Sequence, residues 1–240
     1  NINLDLCLNI YIIIYLLCIN NMSDSKITAI VPVRAGSQRV KNKSTRNFCD
    51  TNLLEYKLKQ LIRIKEIDNI ILTTDSEKAK EIGKKYNITV LDRSGYYSSS
   101  ECNNSDFFRY IAQQAPEDSK YLIYTPVTSP FVKTETITEV IKKFLENQQC
   151  DSVIPVEIIK HHMWMNGKPL NYNPEKAPNT QDLPDIYALN YACSIISRED
   201  QIKYSSLCGK NPLFHELSQF EAIDIDTMHD FELAQLIYKN

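Results

Sequence analysis

Residues 30–48 read IVPVRAGSQRVKNKSTRNF, and the rest of the chain is best understood outward from this stretch. Its first residues end an apolar run at 27–33 that is rich in β-branched side chains and has the length of a buried strand. A small-residue turn follows, and then come four cations, Arg39, Lys41, Lys43 and Arg46. Backbone N–H groups of such a turn can point at phosphate oxygens while the cations neutralise the negative charge. A solvated basic loop would use the same residues, so the stretch alone leaves both interpretations open.

The remaining apolar pattern alternates between strands and helices. Strand-like runs occur at residues 69–74, 89–91, 121–124 and 152–156. Helical spacing lies between them, and we expect helices to start near Leu53, Ser76, Ser105 and Thr134. The first of these helices is expected to bury Leu54, Leu58, Leu61 and Ile62. Repeated βα units predict a three-layer α/β domain with a mostly parallel sheet, and ligands of such folds bind at the carboxyl ends of the strands.

A second motif, at residues 222–227, reads AIDIDT. In a strand, alternation would put Ile223 and Ile225 on one face and the carboxylates of Asp224 and Asp226 on the other. Two carboxylates this close repel each other unless a cation lies between them, and oxygen ligands beside a polyphosphate are what Mg²⁺ uses. The alternative is that both carboxylates decorate an exposed strand end and the start of the next helix.

The segment at residues 157–190 interrupts the βα rhythm. Asn166 and Gly167 form a hairpin turn signal between the apolar residues 163–165 and Leu170, and a Pro- and Asn-rich run follows. We predict a protruding β-hairpin arm. An apolar hairpin is costly to leave in water, so the arm is expected to bury itself against a partner chain.

The composition of the chain limits the compartment and the binding partners that we expect for the protein. The net charge of −3 argues against a nucleic-acid or polybasic membrane surface. The seven cysteines show no metal-ligand spacing and are expected to be reduced thiols, which favours a cytoplasmic protein. Residues 1–21 differ in composition from the rest. We interpret them as a leader foreign to the native protein, which would start at Met22 and form one domain over residues 22–240; a short membrane-associating anchor is the alternative.

Several motifs together resemble a known family. The Arg-Ala-Gly-Ser turn followed by Lys43, the turn at residues 125–130 and the Ile-Asp-Ile-Asp-Thr run at 223–227 are similar to those of the acylneuraminate cytidylyltransferases, the CMP-sugar-acid synthetases. The resemblance runs from about residue 27 to the C-terminus. It implies a nucleotidyltransferase-type fold, a homodimer joined through the arm, and transfer of CMP from CTP to a nonulosonic (sialic-type) sugar acid for cell-surface glycan synthesis, with release of pyrophosphate.

The resemblance also implies roles for individual residues. Arg34 and Lys43 are the expected catalytic cations, and Asp224 with Asp226 would hold Mg²⁺. The expected substrate-binding residues are Ser37, Asp75, Arg93, Gln181 and Asn190. For Asp75, capping of the following helix is an equally simple role.

Some positions depart from the family's pattern. Pro126 stands where glutamine is frequent, and Met165, Thr180 and Ala188 lie where cations are frequent. Those cations would hold the carboxylate of a sugar acid. Two alternatives therefore remain open: a nucleotidyltransferase for another sugar or base, and a nucleotide-binding protein that has lost catalysis.

Overall fold

The computed structural model describes residues 26–93 and 95–239, so the predicted leader at residues 1–21 lies outside the described residues. An eight-stranded sheet forms the centre. Its strands are β1 (Ile27–Val33), β2 (Asn69–Thr74), β3 (Thr89–Asp92), β4 (Tyr121–Tyr124), β5 (Ser152–Ile159), β8 (Ile186–Leu189), β9 (Ser194–Ser197) and β10 (Pro212–Glu216). The order is β10-β5-β9-β4-β1-β2-β3, with β8 paired to β5. Strands β8 and β9 run antiparallel to their neighbours, and the other pairings are parallel.

Seven helices flank this sheet in the described part of the chain. They are α1 (Leu53–Leu61), α2 (Glu77–Lys85), α3 (Gly95–Ser98), α4 (Asn104–Gln114), α5 (Thr134–Glu146), α6 (Arg198–Tyr204) and α7 (Met228–Lys239). One hydrophobic cluster joins α1, α2, α5 and α7 to one face of β1, through side chains such as Ala29 and Val31. A second cluster joins α4 to the opposite face, where Ile30 points. The predicted three-layer α/β architecture with a mostly parallel sheet is confirmed.

Two helix starts differ from the predictions. Helix α4 begins at Asn104 rather than at Ser105, because the side chain of Asn103 caps it by accepting from the Asp106 N–H group at 2.9 Å. Helix α5 is not capped by Thr134. Its N-cap residue is Lys133, and the carboxylate of Glu221 accepts hydrogen bonds from the Lys133 N–H and the Thr136 hydroxyl instead. A carboxylate from a distant segment therefore replaces the local cap.

The predicted hairpin is present. Strands β6 (Trp164–Met165) and β7 (Lys168–Pro169) pair around Asn166 and Gly167, whose φ angles of 52° and 75° suit a type I′ turn. The hairpin exposes Trp164 and Met165 by 57% and 58%. Because residues 157–159 belong to β5 and 186–189 to β8, the part of the arm outside the main sheet is shorter than predicted and covers residues 160–185.

The two ends of the arm are joined to each other at its base by Lys160. Its ammonium lies 2.6 Å from the Asp185 carboxylate and donates to the Leu183 carbonyl, also at 2.6 Å. Leu183 itself is buried. Among the described helices, none is both long and apolar enough to cross a membrane.

Candidate functional site

Two adjoining cavities open at the carboxyl ends of the central strands. The first encloses about 320 Å³ and the second about 340 Å³. Both are lined by Asn104, Phe107, Tyr124, Pro126 and Thr128, so these residues form the boundary between the two compartments. This is the sheet edge at which the sequence predicted a ligand site.

The loop after β1 forms one wall of the first cavity and is fixed by Asp75. The Asp75 carboxylate, at the end of the neighbouring strand β2, accepts from the Ala35 N–H group at 2.8 Å. The cap of helix α2 is instead Ser76, whose hydroxyl accepts from the Ala79 N–H group at 3.3 Å. Asp75 is therefore neither a helix cap nor a lining residue of either cavity. It positions the loop that carries Arg34 and Ser37, both of which line the first cavity.

Lys43 joins this loop to the AIDIDT segment. Its ammonium donates to the Ile225 carbonyl at 2.6 Å and lies 3.6 Å from the Asp226 carboxylate, which also pairs with Arg39 at 3.1 Å. Lys43 therefore has an acidic partner that is distant in the sequence. The Lys43 side chain is only 13% exposed. Lys43 therefore links the loop after β1 to the AIDIDT segment and also places a positive charge at the cavity wall.

The AIDIDT segment is not a strand, contrary to the prediction. The Ile225 N–H group donates to the Thr128 carbonyl at 2.8 Å and the Ile225 side chain is buried, so the segment packs on the turn after β4 without joining a ladder. Asp226 lines the first cavity and Asp224 the second. The two carboxylates thus flank the boundary between the cavities. Thr227 and Asp230 then cap α7 through reciprocal hydrogen bonds.

The electrostatics of Asp224 reflect its crowded position. By area the residue is exposed, yet the cavity walls remove part of the hydration of its carboxylate. This desolvation, followed by the nearby charge of Asp226, raises the pKa of Asp224. Hydrogen bonds from Thr128 and Ser129 and the charge of Lys43 act in the opposite direction. A cation placed between Asp224 and Asp226 would relieve their repulsion.

The donor set fits a divalent ion only in part. Within residues 26–93 and 95–239, no three His, Cys, Asp or Glu side chains are grouped so that they could hold a metal ion. Mg²⁺, however, usually takes one or two carboxylates together with substrate phosphates and water. Asp224 and Asp226 fit an ion of that kind, which would be completed by a polyphosphate in the first cavity.

Arg93 lies on the far wall of the first cavity and is held by its surroundings. Its guanidinium stacks 4.0 Å from the centre of the Phe107 ring, and its Nε donates to the Tyr97 carbonyl at 2.7 Å. Burial lowers the pKa of Arg93. The side chain is therefore pre-positioned at the cavity, as expected for a ligand contact.

The second cavity contains an acidic residue that the sequence reasoning missed. Glu157, at the carboxyl end of β5, lines this cavity together with Asn190. The Asn190 amide donates to Glu157 at 3.1 Å and to the Ala222 carbonyl at 2.8 Å, and its oxygen accepts from the Ala192 N–H group. Asn190 therefore orients the Glu157 side chain in addition to lining the cavity. The position of Glu157 directly after a buried strand was the signal that could have revealed it.

Two predicted site residues line neither cavity: Asp75, which holds the loop after β1, and Gln181, which lies in the arm. Gln181 belongs to the short 3-10 helix Thr180–Asp182 and is exposed. The chain on its own therefore brings Arg34, Ser37, Lys43, Arg93 and Asp226 to the first cavity and Asn190 and Asp224 to the second.

Comparison with known proteins adds three findings. A family model described as cytidylyltransferase matches residues 28–231. The chain is 26% identical over 220 residues to the N-acylneuraminate cytidylyltransferase of Escherichia coli O18:K1:H7, covering 88% of this chain and 51% of that protein, so it spans about half of that relative's length. It is 24% identical over 226 residues to the pseudaminic acid cytidylyltransferase of Campylobacter jejuni serotype O:23/36, covering 89% of this chain and 97% of that protein. Among solved structures, CMP:2-keto-3-deoxy-manno-octonic acid synthetase complexed with CTP superposes with a TM-score of 0.68 at 10% identity, over 90% of this chain and 99% of that one; this last likeness concerns the fold alone.

Proposed function

Because the chain belongs to the cytidylyltransferase family, we propose that it transfers CMP from CTP to a nonulosonic sugar acid and releases pyrophosphate. The observation that carries the proposal is the pair of adjoining cavities. One is lined by Arg34, Arg39, Lys43 and Arg93, and the other is polar and free of these cations. Asp226 and Asp224 lie on either side of their boundary. We assign the triphosphate to the first cavity and the sugar to the second.

In this proposal the first cavity acts on the triphosphate by charge and by position. Arg34 and Lys43 stabilise the negative charge that develops on the phosphates, and Ser37 offers loop donors. The anomeric hydroxyl of the sugar attacks the α-phosphorus, and the bond from that phosphorus to the bridging oxygen of the β-phosphate breaks. The products are the CMP-sugar, pyrophosphate and the proton that the hydroxyl gives up. Asp224 and Asp226 would hold Mg²⁺, which when bound orients the phosphates and offsets the charge of the leaving group.

A nucleotide-binding protein without turnover is the second candidate. Glu157 and Asp224 are the only charged residues that line the second cavity within the described chain. No cation from this chain would therefore meet the carboxylate of a sugar acid there.

Nucleotide binding and pyrophosphate release separate the two candidates. With CTP, Mg²⁺ and a nonulosonic acid, the proposal expects steady pyrophosphate release that requires all three. CTP binding measured by calorimetry without release on any sugar acid would leave only the second candidate. Release with UTP as efficient as with CTP would point to a nucleotidyltransferase of different base specificity.

The cavity lining and the arm together predict the sugar preference. A carboxylate held without a charge-assisted contact loses about 1.5–3 kcal/mol, or roughly ten- to a hundredfold in affinity, and this loss applies to every nonulosonic acid. We expect N-acetylneuraminic acid to be a poor substrate, and a more apolar nonulosonic acid to react better because it can contact the exposed Trp164 and Met165 of the arm. Competition between the two acids in one pyrophosphate-release assay measures the ratio. A preference for N-acetylneuraminic acid would refute this specificity while leaving the reaction class intact.

We further propose that the protein acts in the cytoplasm as a homodimer joined through the arm. The five cysteines among the described residues are free, which suits a reducing compartment. The exposed hairpin residues Trp164 and Met165 make a large apolar surface.

Light scattering at micromolar concentration tests the dimer. We expect twice the chain mass for the wild type and a shift to monomer for Trp164→Glu, since a buried charge would oppose association. Leu233→Glu, which charges another exposed apolar residue on helix α7, is the matched control and should remain dimeric. A wild-type monomer with full activity would refute the arm's role.

A further inference from the structure

Helix α1 buries a lysine that has no carboxylate partner in the described chain. Lys57 has 0% of its surface exposed. Its ammonium donates to the Gln60 side-chain oxygen and to the Ser129 carbonyl, both at 3.0 Å. Removing an ammonium group from water is costly, and this desolvation lowers the pKa of Lys57 from 10.5 to about 8. An apolar residue would fill the same space without that cost, so the two hydrogen bonds are the feature to explain.

Both hydrogen bonds lead to the turn after β4. Lys57 holds the Ser129 carbonyl directly, and the Gln60 amide donates to the Val132 carbonyl at 2.5 Å. Gln60 also accepts a hydrogen bond from Lys57. Helix α1 therefore binds both ends of residues 129–132 through one connected hydrogen-bond network. Gln60 is itself 9% exposed, so water does not readily compete for these bonds.

The other side of the same turn forms the candidate site. The Thr128 carbonyl accepts from the Ile225 N–H group at 2.8 Å. Thr128 and Ser129 line the second cavity together with Asp224, the residue that precedes Ile225. The turn is therefore held on one side by Lys57, and on its other side it holds the chain next to Asp224.

We propose that Lys57 is a positioning residue of the site, which acts through the turn at residues 126–132 to fix Asp224 at the boundary of the two cavities. It lines neither cavity and so touches no substrate. This inference rests on the proposed function for its effect on turnover, whereas its effect on the turn can be measured in the free protein.

Lys57 can still donate both of its hydrogen bonds after its ammonium group is deprotonated. A neutral amine keeps two N–H donors, which is the number of acceptors that Lys57 has. The titratable group that interacts with Lys57 is Cys193, and burial raises the pKa of its thiol to about 12, so the thiol stays neutral through the range in which Lys57 titrates. The turn is therefore expected to stay held at pH 9, although the hydrogen bonds of the neutral amine are weaker than those of the ammonium at pH 7.

Hydrogen exchange in the free protein tests the proposal without any substrate. Lys57→Met keeps an unbranched side chain that is one atom shorter and removes the ammonium donors. Exchange of the Ile225 amide should become roughly tenfold faster, the scale of losing one charge-assisted hydrogen bond that orders the turn. Lys143→Met is the matched control, because Lys143 also donates to a backbone carbonyl, that of Phe214, at 2.8 Å but contacts no part of this turn. Unchanged exchange at Ile225 in Lys57→Met would overturn the proposal.

Kinetics supply the second readout. In Lys57→Met, kcat should fall roughly tenfold and the Mg²⁺ concentration for half-maximal rate should rise, while KM for CTP stays near the wild-type value. The melting temperature should change little, because removing a buried charge offsets the cost of leaving the Gln60 oxygen and the Ser129 carbonyl without a donor. Gln60→Met removes the hydrogen bond to the Val132 carbonyl, and it should change the amide exchange and the rate in the same direction as Lys57→Met. Wild-type kcat and Mg²⁺ dependence in both variants would refute the positioning role. If the wild type itself shows no turnover, the proposed function fails, and the exchange result still decides the role of Lys57.

Discussion

Asp226→Asn should lower turnover on the order of 10²-fold or more, the scale of losing one key electrostatic group in an active site. Asp226 lines the first cavity, where it pairs with Arg39 and Lys43 in the free protein. The amide keeps the shape but loses the negative charge that a divalent ion needs. Asp224→Asn is expected to have an effect of similar size, because the two carboxylates are proposed to share one ion across the boundary.

Titration of pyrophosphate release against Mg²⁺ measures these effects. Both variants should need more metal for half-maximal rate and should not recover the wild-type maximum. Glu117→Gln, which neutralises an exposed carboxylate that lines neither cavity, is the control and should behave as the wild type. Wild-type metal dependence in either aspartate variant would contradict the assignment of the Mg²⁺ ion to Asp224 and Asp226.

Lys43→Met is expected to damage both turnover and stability. The cation is lost from the triphosphate cavity, which should again cost about 10²-fold in turnover. The hydrogen bond to the Ile225 carbonyl and the pairing with Asp226 are lost as well. Because Asp226 is 45% exposed and partly screened, we expect a stability loss of about 1–2 kcal/mol, at the lower end for charged hydrogen bonds.

Two variants separate the roles of Lys43. Lys41→Met removes an exposed neighbouring cation that does not line the cavity, and should change neither property. Arg34→Met removes a cavity cation that forms no ion pair among the described residues, so it should weaken CTP binding with little change in melting temperature. Calorimetry with CTP and thermal unfolding measure both properties. If Lys43→Met lowers the melting temperature but leaves CTP affinity and turnover intact, Lys43 is only a structural tie.

Local patterns were enough to predict the layers and the position of the cleft. The alternation of apolar runs gave the βα units, and the carboxyl ends of β1 and β2 carry Arg34 and Asp75 as expected. The turn at Asn166 and Gly167 was predictable because only a few residue pairs suit a two-residue hairpin. These features depend on neighbours within a few residues, which is the information that a single sequence holds.

Features that depend on distant segments were not predictable in this way. The first helix was expected to bury Ile62 with its leucines, yet Ile62 is 51% exposed, while Lys57 is buried because the carbonyl of Ser129 receives its ammonium. Glu157 has a local signal, its position after the apolar run at residues 152–156, but its orientation depends on Asn190, which lies 33 residues further along the chain. The AIDIDT segment has the alternation of a strand but pairs with a turn rather than with a sheet. In each case a long-range hydrogen bond outweighs the local pattern.

Phosphorus NMR of one reaction mixture tests the central claim most directly. The mixture contains the protein, CTP, Mg²⁺ and a nonulosonic acid with apolar substituents. The account predicts that the three CTP signals disappear together, while one phosphodiester signal of a CMP-sugar and the signal of pyrophosphate grow with integrated areas in the ratio 1:2, as expected for equimolar products. CTP signals that persist with every sugar acid tried, although calorimetry detects CTP binding, would contradict the claim that this chain is a CMP-sugar-acid synthetase.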